Sequence, residues 1–149
     1  MIVEAEVTIN GSKAAVWAAI TNIENASKII SGIDKIEVVE KPASGLVGLT
    51  WRETRTLFGK SATVEKRITD AAENQFYRTR AEFEGSEYLC TKTISESSGG
   101  ITLTESHESK PQGTVGKLLL SAMGIVFKRV VRKALQQDLY DIKAAVERR

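Results

Sequence analysis

The sequence predicts an α+β domain in which a seven-stranded, curled antiparallel sheet wraps around a long carboxy-terminal helix. Three observations predict it: strict period-two alternation near the start, a central stretch of strands and tight turns only, and helical periodicity in the last third. A curled sheet has one concave face to cover, and only the last helix is long enough to cross it.

The first segment predicts one strand and two short helices. Apolar and polar residues alternate through Val3–Ile9, which is typical of a half-buried strand. Ser12 is the predicted N-cap of a helix that runs to Ile20. Asn22 is the predicted N-cap of a second short helix, which Gly32 is expected to end.

Six further strands are predicted between Lys35 and Ser109. The breaks between them are short and rich in turn-forming residues, so neighbouring strands should run antiparallel. The predicted strands are Ile36–Lys41, Leu46–Phe58, Ser61–Ala71, Gln75–Glu84, Glu87–Ser95 and Ile101–Ser109.

After Pro111 the apolar residues recur at helical spacing. The main stripe consists of Phe127, Val131, Leu135, Leu139, Ile142 and Val146. A second stripe within Leu118–Phe127 points in another direction on a straight helix, and Gly124 stands where the two meet. We therefore predict a bend at Gly124 that lets both stripes face the sheet.

Composition excludes several classes of protein. The chain has 149 residues, a net charge of +2, one cysteine and one histidine. This predicts a single domain over residues 1–149, no nucleic-acid partner, no disulfide and no metal site. No P-loop or GxGxxG motif is present, so no cofactor is expected. No secretory signal is recognised, and Leu118–Phe127 is too short to span a bilayer, so we expect a cytoplasmic location.

Three stretches resemble one superfamily. The first helix of START-like proteins is similar to residues 16–24 (VWAAITNIE). Their third strand and its hairpin are similar to residues 48–55 (GLTWRETR) with Gly59-Lys60, and their last helix is similar to residues 133–139 (KALQQDL). This superfamily includes polyketide cyclases and dehydrases, coenzyme Q-binding proteins and pathogenesis-related plant proteins. The resemblance implies a helix-grip fold, β-α-α-β6-α, with a deep cavity between sheet and helix. It implies no particular reaction.

Alternation along the strands predicts which side chains face that cavity. On the third strand, the side that carries Trp51 also carries Glu53 and Arg55. The residues expected at the cavity wall are Trp51, Glu53, Arg55, Tyr77, Phe83, Tyr88, Cys90, Lys92, Leu103, Glu105 and His107 from the sheet, and Leu119, Met123 and Phe127 from the helix.

The charged members of this set have two interpretations. Glu53 and Arg55 could orient the polar end of a ligand or act on it as an acid/base pair. Alternatively they form an ion pair, together with Lys92 and Glu105, that only satisfies buried charge. His107 could transfer protons near neutral pH, although a solvated or structural role is favoured.

The uncharged polar and aromatic residues have open roles as well. Cys90 is favoured as a small buried side chain rather than a nucleophile. Tyr77 and Tyr88 could offer hydroxyls to a ligand or serve only as wall aromatics. Trp51 could be core or a stacking surface, whereas Trp17 is expected in the core.

The last helix has two further features. One face of the helix is rich in charge, and basic residues outnumber acidic ones on it. We interpret this face as solvated, with contact to an anionic membrane surface as the alternative. It carries the basic residues Lys128, Arg129, Arg132, Lys133 and Lys143 and the acidic residues Asp138, Asp141 and Glu147. The segment Leu118–Phe127 is expected to cover the cavity, with a movable lid or a homodimer patch as alternatives.

These observations favour a module that binds or carries a small, mostly apolar molecule of the lipid, quinone or aromatic polyketide type. An enzyme of cyclase, dehydratase or hydrolase type, with Glu53, Arg55, Tyr88 or His107 in the reaction, is the second hypothesis. The third is a protein-interaction domain whose groove is filled by its own side chains. The sequence assigns no catalytic residue.

Overall fold

The computed structural model describes the backbone of residues 1–57, 59–111 and 113–148 and the side chains of residues 1–57, 59–110 and 128–148. Its elements follow the predicted order. They are strand β1 (Ile2–Ile9), helix α1 (Lys13–Thr21), a 3₁₀ turn (Ile23–Asn25), helix α2 (Ala26–Ile29), strands β2 (Lys35–Glu40), β3 (Thr50–Leu57), β4 (Lys60–Ala72), β5 (Phe76–Phe83), β6 (Ser86–Ser97) and β7 (Gly100–Pro111), and helix α3 (Gly113–Glu147).

All seven strands form one antiparallel sheet in the order β1-β7-β6-β5-β4-β3-β2, which confirms the predicted architecture. The register shifts between Val38 and Glu40 on β2 and between Ile68 and Asp70 on β4. Bulges of this kind bend a strand and increase its twist, which helps the sheet curl.

The predicted start of the third strand is wrong. Leu46–Leu49 form a turn in which the Leu49 amide donates to the Leu46 carbonyl over 3.0 Å, and β3 begins only at Thr50. Gly48 has φ +99°, a conformation that side-chain-bearing residues avoid. A glycine inside a strand-like pattern was the signal for this turn.

The predicted caps of the short helices have opposite outcomes. Ser12 caps α1 as predicted, because its Oγ accepts from the Ala15 amide over 3.1 Å. Asn22 makes no side-chain capping bond, since its Oδ1 accepts from the Asn25 side chain instead. The second helix is therefore broken into the 3₁₀ turn and α2, and it ends at Ile29 rather than at Gly32.

Helix α3 covers the sheet through its apolar stripe. Leu135, Leu139, Ile142 and Val146 are all buried in the same core as the inward side chains of β1. The backbone is helical from Gly113 to Glu147, but the predicted bend at Gly124 and the stripe within Leu118–Phe127 lie outside the described side chains. Among the residues described, no helix combines the length and apolar character that crossing a bilayer requires.

Candidate functional site

The concave face of the sheet carries a band of polar side chains in cross-strand rows. Lys92 on β6 lies opposite Glu105 on β7 and, on its other side, opposite Tyr77 on β5. One row further along, Cys90 lies opposite His107. Alternation with period two therefore places these side chains on one face, as the sequence predicts.

Arg55 ties the sheet to helix α3. Its Nη1 and Nη2 donate to Asp138 Oδ1 and Oδ2 over 3.1 and 2.8 Å, a bidentate pair, and its Nε donates to Glu53 Oε2 over 2.8 Å. Glu53 Oε2 also accepts from Lys66 Nζ over 2.9 Å. Glu53 is thus held between two cations, and Arg55 between two carboxylates.

This arrangement corrects two predictions. Asp138 was assigned to the solvated face of the helix, but only 4% of its surface is exposed because it is the partner of Arg55. The network that contains Glu53 and Arg55 uses Lys66 and Asp138, whereas Lys92 and Glu105 pair with each other, Nζ to Oε1, over 3.1 Å.

The neighbouring charges hold Glu53 and Arg55 in their charged forms. Burial raises the pKa of Glu53, but Lys66 and Arg55 outweigh it and hold that pKa well below its usual range. Burial lowers the pKa of Arg55, but Asp138 and Glu53 reverse this and raise it. Glu53 is consequently a poor proton acceptor near neutral pH, and its predicted role in acid/base chemistry loses its support.

Cys90 and His107 form a second polar pair. Cys90 Sγ and His107 Nδ1 lie 2.9 Å apart, and the Tyr88 ring lies beside His107 with ring centroids 5.4 Å apart. Burial raises the pKa of the Cys90 thiol. Burial, with the positive charge of Lys66, lowers the pKa of His107 to about 4. The pair is therefore a neutral thiol and a neutral imidazole at pH 7, not a reactive thiolate.

Glu105 is the member of the band whose hydrogen bonding is incomplete. Its Oε1 accepts from Lys92, but the buried Oε2 has no hydrogen-bond partner among the described residues. Lys92 also lies over the Tyr77 ring, 5.4 Å from its centroid, and the Tyr77 hydroxyl donates to the Ile20 carbonyl over 3.0 Å. A buried carboxylate oxygen without a partner is costly, so a further donor that reached it would stabilise the site.

A cavity lies between this band and the helices. Its volume is about 40 Å³, which is room for about two or three waters. Helices and turns supply an apolar wall, and the sheet supplies a mostly polar one. The described lining residues are Ala19, Ile20, Ile23, Ala26, Ile29, Ile30, Ile33, Ile142 and Trp51 on the apolar side, and Glu53, Arg55, Lys66, Tyr77, Thr79, Cys90, Lys92 and Glu105 on the polar side.

The predicted wall residues have three outcomes. The structure places Trp51, Glu53, Arg55, Tyr77, Cys90, Lys92 and Glu105 on the cavity wall. Four predicted residues are not on this wall: Phe83, Tyr88, Leu103 and His107. Leu103 is fully buried in the core, and Phe83 lies in the last position of β5. Leu119, Met123 and Phe127 lie outside the described side chains.

Lys66, Asp138 and the apolar residues of the amino-terminal helices belong to the site but were not predicted. Two of them left a signal in the sequence. Lys66 stands two residues before the buried Ile68 on β4, so it shares the inner face. Asp138 follows Leu135 by three residues and precedes Ile142 by four, which puts an acid on the apolar stripe.

The fold and its polar concave face define a START-like helix-grip protein. Residues 1–147 match the family model described as polyketide cyclase / dehydrase and lipid transport, and the chain belongs to that family. None of the curated proteins matches the sequence.

Within the described part of the chain, no cluster of three or more His, Cys, Asp or Glu residues could hold a metal ion.

Solved structures with the same fold cover almost the whole chain. A START superfamily protein from Mycobacterium smegmatis is 14% identical, with a TM-score of 0.80 over 99% of this chain and 97% of its own. The Zhui aromatase/cyclase from Streptomyces sp. R1128 is 19% identical, with a TM-score of 0.79 over 100% and 94%. Ara h 8.0201 is 20% identical, with a TM-score of 0.77 over 100% and 99%. At these identities the likeness establishes the fold alone.

Proposed function

We propose that the protein binds or carries a small, mostly apolar molecule of the lipid, quinone or aromatic polyketide type between the sheet and helix α3. One observation carries this proposal: an apolar helical wall faces a buried polar band across a cavity. Ligand sites combine these features, with apolar surface for affinity and a few polar groups for orientation. Membership of a family that includes cyclases, dehydrases and lipid-transport proteins supports it.

The ligand must widen the cavity. Pockets for molecules of this size enclose roughly 300–1,000 Å³, whereas the cavity holds about 40 Å³. Helix α2 is the element to move, because it is a single turn without a fully buried residue. It is attached to α3 through Ser31, whose amide and hydroxyl donate to Asp141 Oδ2 over 2.9 and 2.7 Å. Few buried contacts make such a segment the least costly part of the wall to displace.

Native mass spectrometry of freshly purified protein tests the proposal. We expect a species heavier than the 16.3 kDa chain that returns to the chain mass after denaturation, because an apolar ligand in a buried site dissociates slowly. Polyaromatic and lipid dyes should then compete for one saturable site. Absence of a bound molecule together with absence of saturable dye binding would contradict the proposal.

An enzyme of the cyclase or dehydratase type is the second candidate. The observation that favours it is Glu105 on the cavity wall, whose buried Oε2 has no hydrogen-bond partner within the described part of the chain. Glu53 is unsuited to the same role, because Lys66 and Arg55 already occupy its Oε2. Turnover of a bound ligand, measured as a mass change on incubation, distinguishes an enzyme from a carrier.

We place this function in a single domain over residues 1–149 and in the cytoplasm, where the lone Cys90 stays reduced. Helix α3 has four basic residues at positions 128, 129, 132 and 133, which are compatible with peripheral contact to an anionic membrane. A homodimer is a further alternative for how the protein is organised. Neither is needed for ligand binding.

A further inference from the structure

We infer that the ligand presents an uncharged hydroxyl to Glu105 and Lys92, a specificity that rests on the proposed ligand-binding function. Glu105 lies on the cavity wall, and its buried Oε2 has no hydrogen-bond donor among the described residues. A hydroxyl can donate to this oxygen and at the same time accept from an N–H of the neighbouring Lys92 ammonium, which has three N–H groups.

The charge balance of the site excludes an ionic partner. Glu53, Glu105 and Asp138 are matched by Arg55, Lys66 and Lys92 through ion pairs of 2.8 to 3.1 Å. A ligand anion would meet the Glu105 carboxylate, and a ligand cation would meet the Lys92 ammonium. Only a neutral group leaves both pairs intact and avoids an uncompensated buried charge.

A hydroxyl also fits better than other neutral groups. A ketone or ether oxygen can accept from Lys92, but it has no proton to donate to Glu105 Oε2. An amide or indole N–H can donate to Glu105, but its nitrogen does not accept. Alcohols and phenols do both at one oxygen, whereas an amide needs its nitrogen and its carbonyl oxygen for the two partners. The apolar wall opposite requires that the rest of the molecule be hydrocarbon or aromatic.

Binding of three related compounds by calorimetry tests this inference: naphthalene, 2-naphthol and 2-methoxynaphthalene. We expect 2-naphthol to bind at least about tenfold more tightly than either relative, because a hydrogen bond to a buried carboxylate is gained only by the hydroxyl. Naphthalene is smaller and 2-methoxynaphthalene larger than 2-naphthol, so an affinity that only rises or only falls with ligand size does not produce a preference for the middle compound.

Two variants locate the preference. Replacing the pair together, by Lys92→Met and Glu105→Leu, removes both polar partners without leaving an unpaired charge, and the preference for 2-naphthol should disappear while naphthalene still binds. Ser109→Ala is the matched control. Ser109 Oγ on β7 is also buried and has no partner in the described part of the chain, but Ser109 is not on the described cavity wall, so the preference should persist.

Each other outcome has a definite meaning. Equal binding of all three compounds would overturn the inference and leave the proposed function standing, with water as the partner of Glu105. A preference that survives in the double variant would overturn the assignment to Glu105 and Lys92. If none of the three compounds binds, the inference is overturned for aromatic ligands, and the native mass and dye-binding measurements decide the proposed function separately.

Discussion

Replacing Asp138 with alanine is expected to destabilise the protein by about 3 kcal/mol. Asp138 is the bidentate partner of Arg55, and the Arg55 side chain is only 26% exposed. Loss of the carboxylate leaves a guanidinium that water solvates poorly and that retains Glu53 as its one ion-pair partner among the described residues. Urea denaturation followed by circular dichroism gives the change in the free energy of unfolding.

Two further variants show that the cost comes from the unpaired charge. Arg55→Met combined with Asp138→Leu should recover most of the lost stability, because an apolar pair replaces an ion pair and Glu53 keeps Lys66. Glu73→Ala removes an exposed carboxylate from the β4–β5 turn and should change stability by less than about 0.5 kcal/mol. A loss at Asp138 no larger than that at Glu73 would contradict the account of this pair.

The second large effect is a loss of stability in mild acid that depends on His107. Burial lowers the pKa of His107 from 6.5 to about 4, so the unfolded chain binds a proton between these values and the folded protein does not. The stability that comes from keeping His107 neutral is fully present above pH 6.5 and is lost as the pH falls toward 4. Between pH 7.5 and pH 5 the free energy of unfolding should fall by about 2 kcal/mol.

The single histidine allows a clean control. His107→Asn preserves a polar group near Cys90 Sγ but cannot titrate, so its free energy of unfolding should be nearly constant over the same interval. The lowered pKa of Glu53 removes stability as the pH falls through the usual range of a carboxyl and below it, so it contributes little between pH 7.5 and pH 5. An equal fall in the variant and the parent protein would show that another group is responsible.

Much of the fold follows from local patterns in the sequence. Alternation through Val3–Ile9 and the spacing of Leu135, Leu139 and Ile142 each report which side of an element is buried, and the structure agrees. The predicted start of β3 was wrong because the apolar residues of Leu46–Leu49 resemble a strand, although Gly48 among them was the signal for a turn. The order of apolar and polar residues does not reveal the backbone hydrogen bond from Leu49 to Leu46 that closes this turn.

The site was less predictable, because its partners are distant in sequence. The pairing of Arg55 with Asp138 joins residues 83 positions apart, and no local pattern connects them. The cross-strand neighbours of Glu53 and Lys92 depend on the register between strands, which the turns set. The size of the cavity depends on how closely α2 and α3 approach the sheet, a property that no single residue encodes.

The Trp51 indole reports most directly on the entry of a ligand into the cavity between the polar sheet face and the helices. Trp51 lines the cavity and its Nε1 donates to Glu53 over 3.4 Å, whereas Trp17, the other tryptophan, lies on α1 outside the cavity wall. In a ¹⁵N-labelled protein titrated with 2-naphthol, the Trp51 indole resonance should shift saturably and by more than that of Trp17. A Trp51 resonance that stays unchanged up to the solubility limit of the probe would contradict the account.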